Sequence, residues 1–95
     1  MLKILIIGGT AEAAIIAKEL VKRGVFVIIS YAGRTVDIEP PIQSYRIGGF
    51  GGATGMSDFM KEKEITHLLD ASHPFSKTIT INSLVATKMA NVNYV

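Results

Sequence analysis

Four apolar segments of this chain each run straight into a polar or glycine-rich turn. Residues 4–7 lead into Gly8-Gly9-Thr10, residues 25–29 into Ser30-Tyr31-Ala32-Gly33-Arg34, residues 45–47 into Gly48-Gly49-Phe50-Gly51-Gly52, and Leu68-Leu69 into Asp70-Ala71-Ser72-His73-Pro74-Phe75. If the segments are parallel strands, all four turns lie along one edge of a sheet. Ligands of open α/β sheets bind in the crevice at the carboxyl ends of the strands, so motifs scattered in sequence should converge in space.

The apolar runs are nearly continuous, as expected when helices cover both faces of a parallel sheet. Residues 1–7 read as a first buried strand. In the next segment Ala13, Ile16, Ala17, Leu20 and Val21 repeat at helical spacing, with Glu12, Lys18, Glu19, Lys22 and Arg23 on the other faces. Thr10 is placed to cap that helix and Gly24 to end it. Residues 25–30 form a second strand, residues 31–43, with Pro40-Pro41, a long loop, and residues 44–47 a short third strand at an edge. Met56, Phe59 and Met60 mark a short helix ending near Glu64, and residues 65–70 a fourth strand. Pro74 suits the first turn of a last helix whose apolar stripe is Ile81, Leu84, Val85 and Met89, and residues 93–95 begin a fifth strand. Right-handed crossovers between these elements give an α/β fold: a Rossmann-like parallel sheet of order 3-2-1-4-5 with helices on both faces. Ending on a fifth strand, the chain reads as half of a larger enzyme.

Composition narrows the partners. With 95 residues there is at most one domain, burying about 60–65% of its unfolded surface. The chain is 48% hydrophobic and 19% charged, ordinary for a globular domain, and neither a signal-peptide core nor a membrane span is expected, which points to the cytoplasm. No cysteine is present, which excludes disulfides and thiolate chemistry, and two histidines without a carboxylate pattern argue against a metal. A net charge of +2, with Lys61 and Lys63 interleaved with Glu62 and Glu64, marks a solvated helix face and no nucleic-acid partner.

The turns carry the chemistry. Gly8-Gly9-Thr10, between a strand and a helix start, lets backbone approach a pyrophosphate and offers it unpaired N–H groups, although glycines serve a tight turn in any βα unit. Ala11 and Ala13 stand where G-x-G-x-x-G would continue, and the phosphate-loop lysine is absent, which disfavours ATP or GTP hydrolysis. NAD-binding folds place an acidic residue at the end of the second strand; here Ser30 and then Arg34 occur, a hydroxyl and a planar guanidinium suited to the 2′-phosphate of NADPH, unless Arg34 is simply a solvated loop residue. The four glycines around Phe50 cost backbone entropy, so either a ligand comes close to that backbone, with Phe50 as an apolar wall, or the turn is merely a flexible one. His73 is placed either to orient substrate or to cap a helix, His67 is a half-exposed packing residue, and Asp70 either serves as a general acid or bonds to loop N–H groups.

Together GGTAEA at residues 8–13, SYAGRT at 30–35, GGFGG at 48–52 and DASHPF at 70–75 resemble the precorrin-6A reductase family of cobalamin biosynthesis. The resemblance implies an NADPH-dependent oxidoreductase that delivers hydride to a ring double bond of a tetrapyrrole, a corrin precursor with or without cobalt. It implies two α/β domains, this chain being the NADPH-binding N-terminal half without the C-terminal domain. By the same resemblance Gly8, Gly9 and Thr10 hold the pyrophosphate and Ser30 and Arg34 the adenosine ribose phosphate, while Ala11, Glu12, Ala32, Gly33 and Thr35 are counted with them among the cofactor-binding residues. Gly48, Gly49, Phe50, Gly51 and Gly52 line the cofactor, and Ser72, His73, Pro74 and Phe75 face the nicotinamide, with His73 and Phe75 toward substrate. Ser72 stands where the family more often has threonine, which keeps the hydroxyl. No side chain is a convincing proton donor.

Two other readings compete. The chain is alternatively a non-catalytic nucleotide-binding module, or a fragment that dimerises through its edge strand. A short-chain dehydrogenase is disfavoured because none of Tyr31, Tyr45 or Tyr94 is followed by lysine at the Tyr-x-x-x-Lys spacing.

Overall fold

The structure, a computed structural model, describes residues 1–31 and 39–95. Its elements in chain order are β1 (Lys3–Ile7), α1 (Ala11–Lys22), β2 (Phe26–Tyr31), β3 (Tyr45–Ile47), α2 (Gly52–Glu62), β4 (His67–Asp70), α3 (Lys77–Ala90) and β5 (Asn93–Tyr94). The five strands form one sheet of order β3-β2-β1-β4-β5, and every pairing is parallel. The expected strand order is therefore the observed one, with β3 at one edge.

Alternation along the central strands sorts the core into two layers, because successive side chains of a strand point to opposite faces. Leu5, Ile7, Ile28 and Leu68 pack with Met56 and Met60 of α2 and Ala86 of α3. Ile4, Ile6, Val27 and Ile29 pack with Ala13 and Ala17 of α1 on the other face. Helices thus cover both faces, and the fully buried strands explain the unbroken apolar runs.

Helix α1 starts as its sequence dictates: the Thr10 hydroxyl accepts from the Ala13 N–H at 3.3 Å, with Glu12 in the first turn. Gly24 adopts φ +81° just after the Arg23 cap, releasing the chain into β2. His67 is half-buried, its Nδ1 at 2.8 Å from the Thr66 hydroxyl, in keeping with a packing role.

Helix α3 departs from expectation in two ways. It begins at Lys77, not at Pro74, which lies in a turn closed by the Ser76 N–H donating to the His73 carbonyl at 2.8 Å. Its apolar residues Ile81, Leu84, Val85 and Met89 are 43–59% exposed, while Ser83, Ala86 and Thr87 are buried. The reason is close approach: α3 lies along α2 on small side chains, and the buried hydroxyls are satisfied within the helix, Ser83 donating to the Ile79 carbonyl at 2.7 Å and Thr87 to that of Leu84 at 3.0 Å. Among the described residues no helix is long and apolar enough to cross a membrane.

Candidate functional site

The carboxyl ends of β1 to β4 are stitched together by backbone bonds. Gly8 N–H donates to Ser30 O at 2.8 Å, Gly48 N–H to Tyr31 O at 2.9 Å, and Ala71 N–H to Ile7 O at 3.1 Å. The Thr10 hydroxyl adds a fourth link, donating to Ala71 O at 2.8 Å. Between these turns and the start of α3 lies a cavity of about 260 Å³. Of the residues singled out in sequence, Gly8, Ser30, Gly48, Gly49, Phe50, Ser72 and Phe75 line it. Gly9, Thr10, Ala11, Glu12, Gly51, Gly52, His73 and Pro74 belong to the same turns or to the helix starts that follow them. Ala32, Gly33, Arg34 and Thr35 lie outside the described residues. A larger open groove of about 550 Å³ sits at the opposite edge, lined by the end of α1 and the starts of β2 and β3, away from these motifs.

The glycine turn has its own physical account. Gly48, Gly51 and Gly52 have φ of +122°, +84° and +73°, a region that side chains disfavour, so three of the four glycines follow from backbone conformation. Backbone conformation is thus a second reason for glycine at these three positions, beside the ligand expected near them. Gly49 has an ordinary φ, and nothing lies within 4 Å of where its Cβ would stand, yet it lines the cavity. Gly55, not singled out in sequence, is required by packing: a Cβ there would overlap the Phe50 carbonyl oxygen.

Asp70 is a structural acceptor. Its carboxylate takes bonds from Ser72 N–H at 3.1 Å, Ser72 hydroxyl at 2.5 Å, Thr80 hydroxyl at 2.7 Å and Tyr94 hydroxyl at 3.2 Å. Burial alone would raise its pKa, but these bonds outweigh burial and hold it below the ordinary carboxylate value. Of the two roles open in sequence, the loop-bonding one is observed, and an ionised Asp70 is no proton donor. Tyr94, moved by burial first and then by Asp70, titrates above its ordinary value.

At the cavity mouth the His73 and Phe75 rings stack at 5.1 Å and 29°, with Phe75 84% exposed. Phe75 N–H donates to His73 Nδ1 at 3.3 Å, so in the neutral ring Nε2 carries the proton. Ser76, Lys77, Thr78 and Ile79 complete the wall. Sequence reasoning missed them because Pro74 placed the helix start three residues early, turning wall into helix interior. It also missed Arg46. From edge strand β3 its guanidinium donates to Ser30 Oγ at 3.0 Å, Gly48 O at 2.9 Å and Gly49 O at 3.1 Å, and lies 3.9 Å from the Phe50 ring centre. Among the described residues no group of three or more metal-ligating side chains occurs.

A parallel α/β sheet with its polar turns gathered at the carboxyl edge defines a crevice-binding α/β domain. Comparison with known proteins gives the family. A model of the precorrin-6x reductase CbiJ/CobK family matches residues 3–95, and the chain belongs to that family. It is 39% identical over 93 residues to the precorrin-6A reductase of Rhodobacter capsulatus, covering 97% of this chain and 37% of that protein. It is 43% identical over 91 residues to that of a Sinorhizobium species, covering 95% and 35% respectively. The solved structure of a CobK precorrin-6A reductase superposes with a TM-score of 0.93 at 38% identity, covering 99% of this chain and 38% of that one. The chain thus spans about a third of the length of the relatives it matches.

Proposed function

We propose that this chain is the NADPH-binding part of a precorrin-6A reductase, a single domain that holds the cofactor for reduction of a corrin precursor. The observation that carries the reading is the convergence of the turns after β1 to β4 on one cavity, with hydroxyl, backbone and guanidinium groups at the end of β2 where an NAD-binding fold would present a carboxylate. The residues fit a dinucleotide: Gly49 leaves open space beside its backbone, and the backbone between β1 and α1 meets the positive end of a helix dipole.

When bound, NADPH supplies the hydride. Gly8, Gly9 and Thr10 would lie along the pyrophosphate, the Thr10 hydroxyl being committed to Ala71 and Ala13 so that its backbone is what the ligand meets. Ser30, with Arg34, would hold the ribose phosphate. Phe50, braced edge-on by Phe59 at 5.4 Å, shields one wall from water. In this reading a carboxylate-rich macrocycle would meet His73, Phe75 and Lys77, which would offer it a stacked aromatic surface, an Nε2 donor and a positive charge. Asp70 keeps the turn that presents them in place.

The remaining two thirds of the relatives' length would supply the other wall of the substrate site, and the outward apolar face of α3 supports association with further polypeptide. Amide shifts of the labelled chain on adding NADPH test the site. Gly8, Gly49, Ser72 and Lys77 should move together and saturate; shifts confined to the groove beside Lys18 and Phe26 would contradict the reading.

A further inference from the structure

Arg46 pairs in register with Ser30, one strand in from the sheet edge. Its planar fork holds two carbonyls of the glycine turn and the Ser30 hydroxyl at once, a geometry that a lysine ammonium cannot reproduce. Ser30 is buried, 3% exposed, and lines the cavity. Because guanidinium groups only donate, Ser30 Oγ accepts from Arg46 and its own proton must be donated elsewhere. A hydroxyl donor and a fixed positive charge therefore stand together at the end of β2.

We propose that Arg46 is a positioning residue that sets the charge preference of this wall: it turns the Ser30 hydroxyl to donate into the cavity and favours an anionic oxygen there, the extra phosphate of NADPH. The inference rests on the cofactor reading above and adds a residue on β3 to the one the loop after β2 was expected to supply. Stacking on Phe50 keeps the guanidinium in the plane that reaches all three acceptors.

The test compares wild type, Arg46→Met, Arg46→Lys, Ser30→Ala and the Ser30→Ala/Arg46→Met double variant, titrated with NADPH and with NADH alongside melting curves. Arg46→Met keeps an apolar stem over Phe50 and removes charge and donors. It should lower NADPH affinity about tenfold more than NADH affinity, as expected for a charge-assisted bond lost from one ligand only. Arg46→Lys should restore part of that preference. The double variant should lose no more preference than Arg46→Met, because both changes act through one hydroxyl. Equal losses for the two cofactors in Arg46→Met, no restoration by lysine, or additive losses in the double variant would each overturn the role of Arg46 while leaving the cofactor reading intact. Wild type that binds neither nucleotide overturns both.

Discussion

The Thr10 hydroxyl donates to the carbonyl of Ala71 at 2.8 Å across 61 positions of sequence while accepting from the Ala13 N–H. One side chain thereby caps α1 and ties the first glycine turn to the turn that carries His73 and Phe75. The walls of the cavity are held at a fixed separation by groups that also close the fold.

Thr10→Val removes both bonds while keeping the shape. It should destabilise by about 1–2 kcal/mol, the range of a lost helix cap, and Thr10→Ser should recover most of it. Thermal denaturation of the three proteins checks this, and a valine variant that melts with wild type would mean that the hydroxyl is replaceable by water.

The pH dependence of stability should carry the mark of Asp70. A carboxyl whose folded pKa lies below its unfolded value of about 4 contributes stability that is fully present above that value and is lost as pH falls through the folded pKa. Between about pH 5 and pH 3 the melting temperature of wild type should fall more steeply than that of Asp70→Asn. At neutral pH the asparagine variant should be weaker by about 1–3 kcal/mol, since its amide nitrogen cannot accept from Thr80 and Tyr94. Parallel melting profiles across that range would contradict the assignment.

Two glycine substitutions should behave in opposite ways. Gly55→Ala improves helix propensity by about 1 kcal/mol, yet its Cβ meets the Phe50 carbonyl, so a net loss of about 1–3 kcal/mol is expected from backbone that must shift. Denaturant titration decides the sign.

Gly49→Ala adds a Cβ where no protein atom is near, and its melting should stay within about 0.5 kcal/mol of wild type. The same methyl should weaken NADPH about tenfold if the ligand passes over that backbone. Unchanged binding would mean that the cofactor does not touch Gly49.

The topology was legible because buried parallel strands leave unbroken apolar runs, and residues 4–7 and 25–30 carry them plainly. Convergence of the turns followed from that topology alone. Helix α3 was misread because its inward face is built from Ser83, Ala86 and Thr87, small residues whose hydroxyls are satisfied within the helix, so periodicity of large apolar residues pointed outward. Arg46 was invisible for a different reason. Its partners lie on another strand and in a turn, and only the pairing of β3 with β2 reveals that it faces Ser30. The glycine cluster was found, but composition does not distinguish a glycine needed for positive φ from one needed for ligand approach.

The central claim is that this domain binds NADPH, in preference to NADH, in the crevice at the carboxyl ends of its strands. Calorimetric titration of the chain with NADPH and, separately, with NADH tests it most directly. Saturable one-to-one binding with a clear preference for NADPH is the predicted result; no heat of binding with either nucleotide, or equal affinity for both, would contradict it.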